Sequence, residues 1–112
     1  MGKPNDALDL LPGTLDLLIL KALVLGRMHG YGIAQHLKRT SDDVLHVGES
    51  SLYPALQRML IKGWVTASWG TTAGNRRARY YQLTAAGRKQ LAVERSQFKR
   101  VIGAISRVIE AI

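Results

Sequence analysis

The chain has 112 residues, 46% hydrophobic and 21% charged, enough for one small domain with a core and too apolar for a disordered segment. Sixteen Lys and Arg stand against eight Asp and Glu, a net charge of +8 that favours a polyanionic partner. The absence of cysteine excludes disulfides, thiolate metal sites and cysteine nucleophiles, and it fits a reducing compartment.

The excess charge is unevenly placed. Residues 1–45 hold five basic and five acidic groups, residues 46–84 five against one, and residues 85–112 six against two. The most apolar run, Leu15 to Leu25, is broken by Lys21 and falls short of the ~20 residues that a membrane span needs. Asp6 and Asp9 precede it, the wrong charge for a signal peptide, and the start of the chain lacks the Ser or Thr of a myristoylation site. The expectation is a soluble, cytoplasmic protein without internal repeats or a long linker.

A first helix is expected after Pro12 and Gly13, capped by Thr14, with Asp16 where the helix dipole favours an anion, and running to about Leu25. Leu15, Leu18, Ile19, Ala22 and Leu23 follow helical spacing, and Leu20 and Val24 make it apolar nearly all round, so it must be buried on more than one side. Gly26 ends it, and His29 to Gly32 turn the chain into a second helix that carries Ile33, Ala34 and Leu37 inward. Ser41, Asp42 and Asp43 read as a solvated connector, and residues 44–48 as a short extended piece.

In a third helix Ser50 or Ser51 is expected to cap the free amides, with Pro54 in the first turn, where a missing N–H costs least. Leu52, Ala55, Leu56 and Met59 form one stripe toward the core, leaving Ser51, Tyr53, Pro54, Gln57, Arg58 and Lys62 outward. Gln57 and Arg58 have the chemistry to reach base edges or phosphates. Gly63 stops the helix. Residues 64–69 then read as a strand, residues 70–75 as a turn and residues 79–83 as the returning strand, with Trp64 and Trp69 assigned to core packing rather than to a ligand cavity. Arg76, Arg77 and Arg79 cluster on this hairpin, where phosphate or minor-groove contact suits them better than edge protection.

Thr84 is expected to cap a last helix through Ile112, about 42 Å long at the standard rise. Leu91, Phe98, Ile105 and Ile112 recur every seven residues, with Val101, Ile102, Val108 and Ile109 between them, a coiled-coil-like stripe. The expected fold is α+β, mainly α: a winged helix-turn-helix over residues 11–84 and a C-terminal dimerisation helix over residues 85–112. The last helix would pack against its mate and against the first helix of the other subunit in a twofold dimer.

An enzyme is disfavoured. His29, His36 and His46 are the only histidines and have no nearby carboxylates in sequence, Ser50 and Ser51 lack a paired base, and there is no glycine-rich phosphate loop, so no catalytic residue, metal or cofactor is expected. The rival is a winged helix that binds protein or RNA.

Six segments resemble PadR-type transcriptional regulators in order and spacing, particularly the short subgroup with a single C-terminal helix. They are Leu11 to Asp16, His29 to Ile33, Gly48 to Leu56, Lys62 to Val65, Arg76 to Tyr81 and Leu83 to Gly87. The resemblance implies a homodimeric repressor that blocks a promoter and releases it on binding a small-molecule effector. It places Ser51, Tyr53, Pro54, Gln57 and Arg58 on the helix that reads operator DNA, and Arg76, Arg77 and Arg79 on the wing; Ser50, at the start of that helix, is expected to contact DNA with them. Met59-Leu60-Ile61 departs from the pattern, which has an acidic residue after a leucine; the salt bridge that carboxylate would make is not expected here.

Overall fold

The computed structural model describes residues 13–112; expectations for residues 1–12 lie outside it. Four helices and three short strands follow in the order α1 Thr14–Ala22, β1 Met28–His29, α2 Gly30–Thr40, α3 Glu49–Ile61, β2 Val65–Thr71, β3 Arg77–Leu83 and α4 Ala85–Glu110, with one 3-10 turn over Leu23–Leu25 after α1. The fold is the expected α+β winged helix followed by one long helix.

The core forms where the apolar stripes of three helices meet the inner face of the sheet. Ile19, Leu20 and Leu23 from the first helical segment, Ile33 and Leu37 from α2, and Leu52, Ala55, Leu56 and Met59 from α3 close on Val65, Tyr81 and Leu83. Each of these side chains is nearly or fully buried. At roughly 1.5–3 kcal/mol for each large side chain, their removal from water is the main force assembling the domain.

The sheet is antiparallel in the order β1-β3-β2, so β3 is central. Sequence patterning predicts two strands; the third, β1, is only two residues long and pairs Met28 with Tyr81 and His29 with Tyr80. The hairpin strands are also longer than expected. Thr71 pairs with Arg77 as the last rung, which leaves a tip of residues 72–76.

Helix ends differ instructively from the expectation. Thr14 is the first residue of α1 rather than its cap, because Gly13 occupies the cap position and no side-chain bond is made there. Gly48 likewise caps α3, so Ser50 and Ser51 lie inside its first turn and cap nothing. Pro54 sits one turn deeper than expected, inside the helix. Its missing N–H leaves the exposed Ser50 carbonyl without an intrahelical donor.

Gly63 closes α3 with a positive φ of 77°, and the Trp64 and Gly63 amides donate back to the Met59 and Leu60 carbonyls. Asp42 performs the same stop for α2 at φ 53°, with the Asp43 amide donating to the Lys38 carbonyl at 2.8 Å. The aspartates are therefore a helix stop, not merely a solvated link. As expected, Thr84 caps α4, accepting from the Gly87 amide at 3.0 Å.

Candidate nucleic-acid interface

Successive residues of α3 are rotated by about 100°, so burying Leu52, Ala55, Leu56 and Met59 turns Ser50, Pro54 and Gln57 directly outward. Tyr53 lies on one flank of that outward face, and Ser51 and Arg58 on the other. All six are exposed.

The Tyr53 flank faces α2. Gly30, the first residue of α2, is buried, and a Cβ there would stand 2.7 Å from the Tyr53 hydroxyl. Only glycine lets the phenol ring lie this close to the start of α2. The ring is 44% exposed, so one edge is held while the other stays available. Burial, reinforced by the nearby Glu49 carboxylate and by Tyr81, raises the Tyr53 pKa above its ordinary value. At neutral pH the hydroxyl is therefore a neutral donor and acceptor.

The Arg58 flank faces α1. Its guanidinium donates to the Asp16 carboxylate at 3.1 Å, the only ion pair among the described residues. The pair ties the exposed edge of α3 to the first turn of α1, while the Arg58 side chain stays 55% exposed. Asp16 serves that link as well as the helix dipole.

The wing supplies the opposite wall. Because side chains alternate along a strand, Arg77 and Arg79 share the face of β3 that carries Tyr81 and Leu83 into the core. Trp69 pairs directly with Arg79, and the Arg77 guanidinium lies 4.4 Å from the centre of the Trp69 ring. Trp69 is 59% exposed, which overturns its assignment to the core. It is a platform on which a wing arginine rests. Arg76 follows in the turn, where its amide donates to the Thr72 hydroxyl at 3.2 Å. None of the three arginines has a carboxylate partner among the described residues.

Tyr53, Tyr31, Trp69 and the three wing arginines line one cleft of about 830 Å³ between the start of α2 and the hairpin. His29 also lines it and caps α2, its Nδ1 accepting from the Gly32 amide at 2.9 Å. The sequence pattern locates the arginines and Tyr53 but misses Tyr31, which is 68% exposed at the first turn of α2.

The expected dimerisation stripe divides in two. Leu91 packs against the core of its own chain, and Phe98 and Val101 border a groove shared with Gly13, Thr14 and Leu17. The first half of α4 thus leans on its own α1, whereas the sequence pattern assigns that packing to the other subunit. Val101, Ile102 and Ile105 are 39–48% exposed, and Val108, Ile109 and Ile112 are exposed further still.

Basic groups without counter-charges beside a polar helix face, framed by a three-helix core and a β-hairpin, define a winged-helix regulator of the DNA-binding class. The transcriptional regulator PadR-like family model matches residues 19–93, well over half of the chain, and the chain belongs to that family. Its members are transcriptional regulators and not enzymes.

The fold is similar to that of a transcriptional regulator from Clostridium thermocellum, with a TM-score of 0.80, 24% identity and coverage of 88% of this chain and 95% of that one. A PadR family transcription regulator from Clostridium difficile is 25% identical with a TM-score of 0.73, covering 87% of this chain and 99% of its own. An uncharacterized protein from Lysinibacillus sphaericus is 27% identical over 97 residues, spanning 84% of this chain and 89% of that protein. Among the described residues no helix is long and apolar enough to cross a membrane.

Proposed function

We propose that the protein is a homodimeric, sequence-specific repressor acting in the cytoplasm, whose paired α3 helices read an operator in duplex DNA. The observation that carries this reading is the shared cleft, where Tyr53 of α3 stands across from Arg76, Arg77 and Arg79 of the wing. A helix in the major groove puts Ser50, Ser51, Pro54 and Gln57 against base edges and backbone, while the wing follows the adjoining phosphates.

Dimerisation through α4 is supported by the open apolar row from Val101 to Ile112, which a monomer would leave in water. Residues 13–84 form the reading unit and residues 85–112 the clasp. Twofold pairing would set the two α3 helices roughly 34 Å apart, so the operator is an inverted repeat with half-sites one turn apart. Repression, and release by a small-molecule effector, rest on the family resemblance.

A gel shift comparing the DNA upstream of the protein's own gene with random duplex of equal length tests the reading. Preference for the upstream DNA is expected, with log affinity falling against log salt at a slope of about −5 if about six phosphates are neutralised. Equal affinity for both duplexes would point instead to a winged helix that serves protein or RNA.

A further inference from the structure

The outer face of α4 carries charge that operator reading by α3 and the wing does not use. Arg88, Lys89, Arg95, Lys99, Arg100 and Arg107 are all exposed. At about 100° per residue they fall within an arc of roughly 140°, turned away from the apolar row. The acidic residues of α4 offer little relief. Glu94 lies on the apolar side, accepting from the Gln90 amide at 2.8 Å, and Glu110 falls within the arc but only at the last residue of the helix, beyond Arg107.

Concentrating like charge on a helix has a cost, and Arg95 and Lys99 sit at the i, i+4 spacing where it is felt directly. Mixed-sign charge would keep this face soluble without that cost. Between the cations stand only small side chains and glycine, namely Ala92, Ser96, Gly103 and Ser106. A membrane surface would call for apolar side chains to insert, and a protein partner for an apolar anchor at the centre of the interface. This arc presents neither.

We propose that this arc is a second, sequence-independent binding surface for the phosphate backbone of duplex DNA. From Arg88 to Arg107 the helix rises about 28 Å, and the same length of duplex carries on the order of sixteen phosphates. The surface lets the regulator hold a second duplex, or a distant stretch of the same one. It does not depend on α3 being the reading helix.

The test uses the full-length chain, a random 30-base-pair duplex and a salt titration followed by fluorescence anisotropy. Replacing Arg88, Arg95, Lys99 and Arg107 together by Gln is expected to weaken binding at low salt at least tenfold. The slope against log salt should become shallower by about one unit for each phosphate that is no longer neutralised. Replacing the three arginines by Lys instead is expected to stay within about twofold of the parent.

Because the chain has no cysteine, Ser96→Cys gives a single point for attaching a photo-crosslinker, independent of how the multiple variant folds. Crosslinking to random duplex is expected there. No adduct at Ser96→Cys, or unchanged affinity and slope in the Gln variant, would overturn the proposal. So would tighter binding of the parent to phosphatidylserine vesicles or to polyglutamate than to duplex. A wing variant with Arg76, Arg77 and Arg79 replaced by Ala should keep residual duplex binding. If it lost all of it, this proposal would fail while the operator reading stood; if it lost none while the Gln variant lost all, the operator reading would fail and this one stand.

Discussion

Helices α3 and α4 are both amphipathic, yet they spend their faces in opposite ways. The apolar stripe of α3 is sealed within the chain, with Leu52, Ala55, Leu56 and Met59 at most 2% exposed, and its polar face is left outward. The apolar row of α4 is sealed only near Leu91 and lies open from Val101 onward. A helix that completes its own core offers chemistry to a partner. One that leaves its apolar row open is, on the proposed reading, covered by a second copy of itself.

The difference breaks most sharply under substitution. Leu56→Ala should cost about 2–5 kcal/mol of stability in chemical denaturation, since it opens a cavity in a closed core. Ile105→Asp should leave that core folded but raise the dimer dissociation constant at least a hundredfold, as read by analytical ultracentrifugation, because it puts a charge into the seam. A parent chain that sedimented as a monomer at micromolar concentration would remove the contrast altogether.

Smaller changes sharpen the comparison on the α3 side. Gly30→Ala should displace the Tyr53 ring, which can swing outward, so operator affinity falls about tenfold while thermal stability hardly changes. Trp69→Leu should weaken duplex binding about two- to fivefold by freeing Arg77, with Trp69→Phe restoring much of it. Arg58→Ala should cost under ~1 kcal/mol in denaturation, the worth of an exposed pair, and leave the salt dependence of DNA binding unchanged. A shallower salt slope in that variant would show that Arg58 contacts DNA as well as Asp16.

The parts legible in the sequence are those written in periodic burial. The α3 stripe, the Thr84 cap and the wing arginines are readable because spacing alone separates their faces. Strand β1 is not, because two residues cannot show alternation, and Met28 and His29 owe their pairing to β3, some fifty residues away. The Asp16–Arg58 link spans 42 positions and has no local signal. Trp69 is misplaced by pattern because an indole in a strand looks like core until the register puts it beside Arg77 and Arg79 at the outer end of the hairpin. Propensity gives the cap of α3 to serine, whereas the chain brings Gly48 to that position in an extended conformation.

Selection of binding sites from a randomised duplex pool by the full-length protein, followed by sequencing, tests the central claim most directly. Two α3 helices held by paired α4 helices predict enrichment of an inverted repeat whose half-sites are centred about one helical turn apart. Enrichment of a lone half-site or a direct repeat, or no enrichment at all, would contradict it.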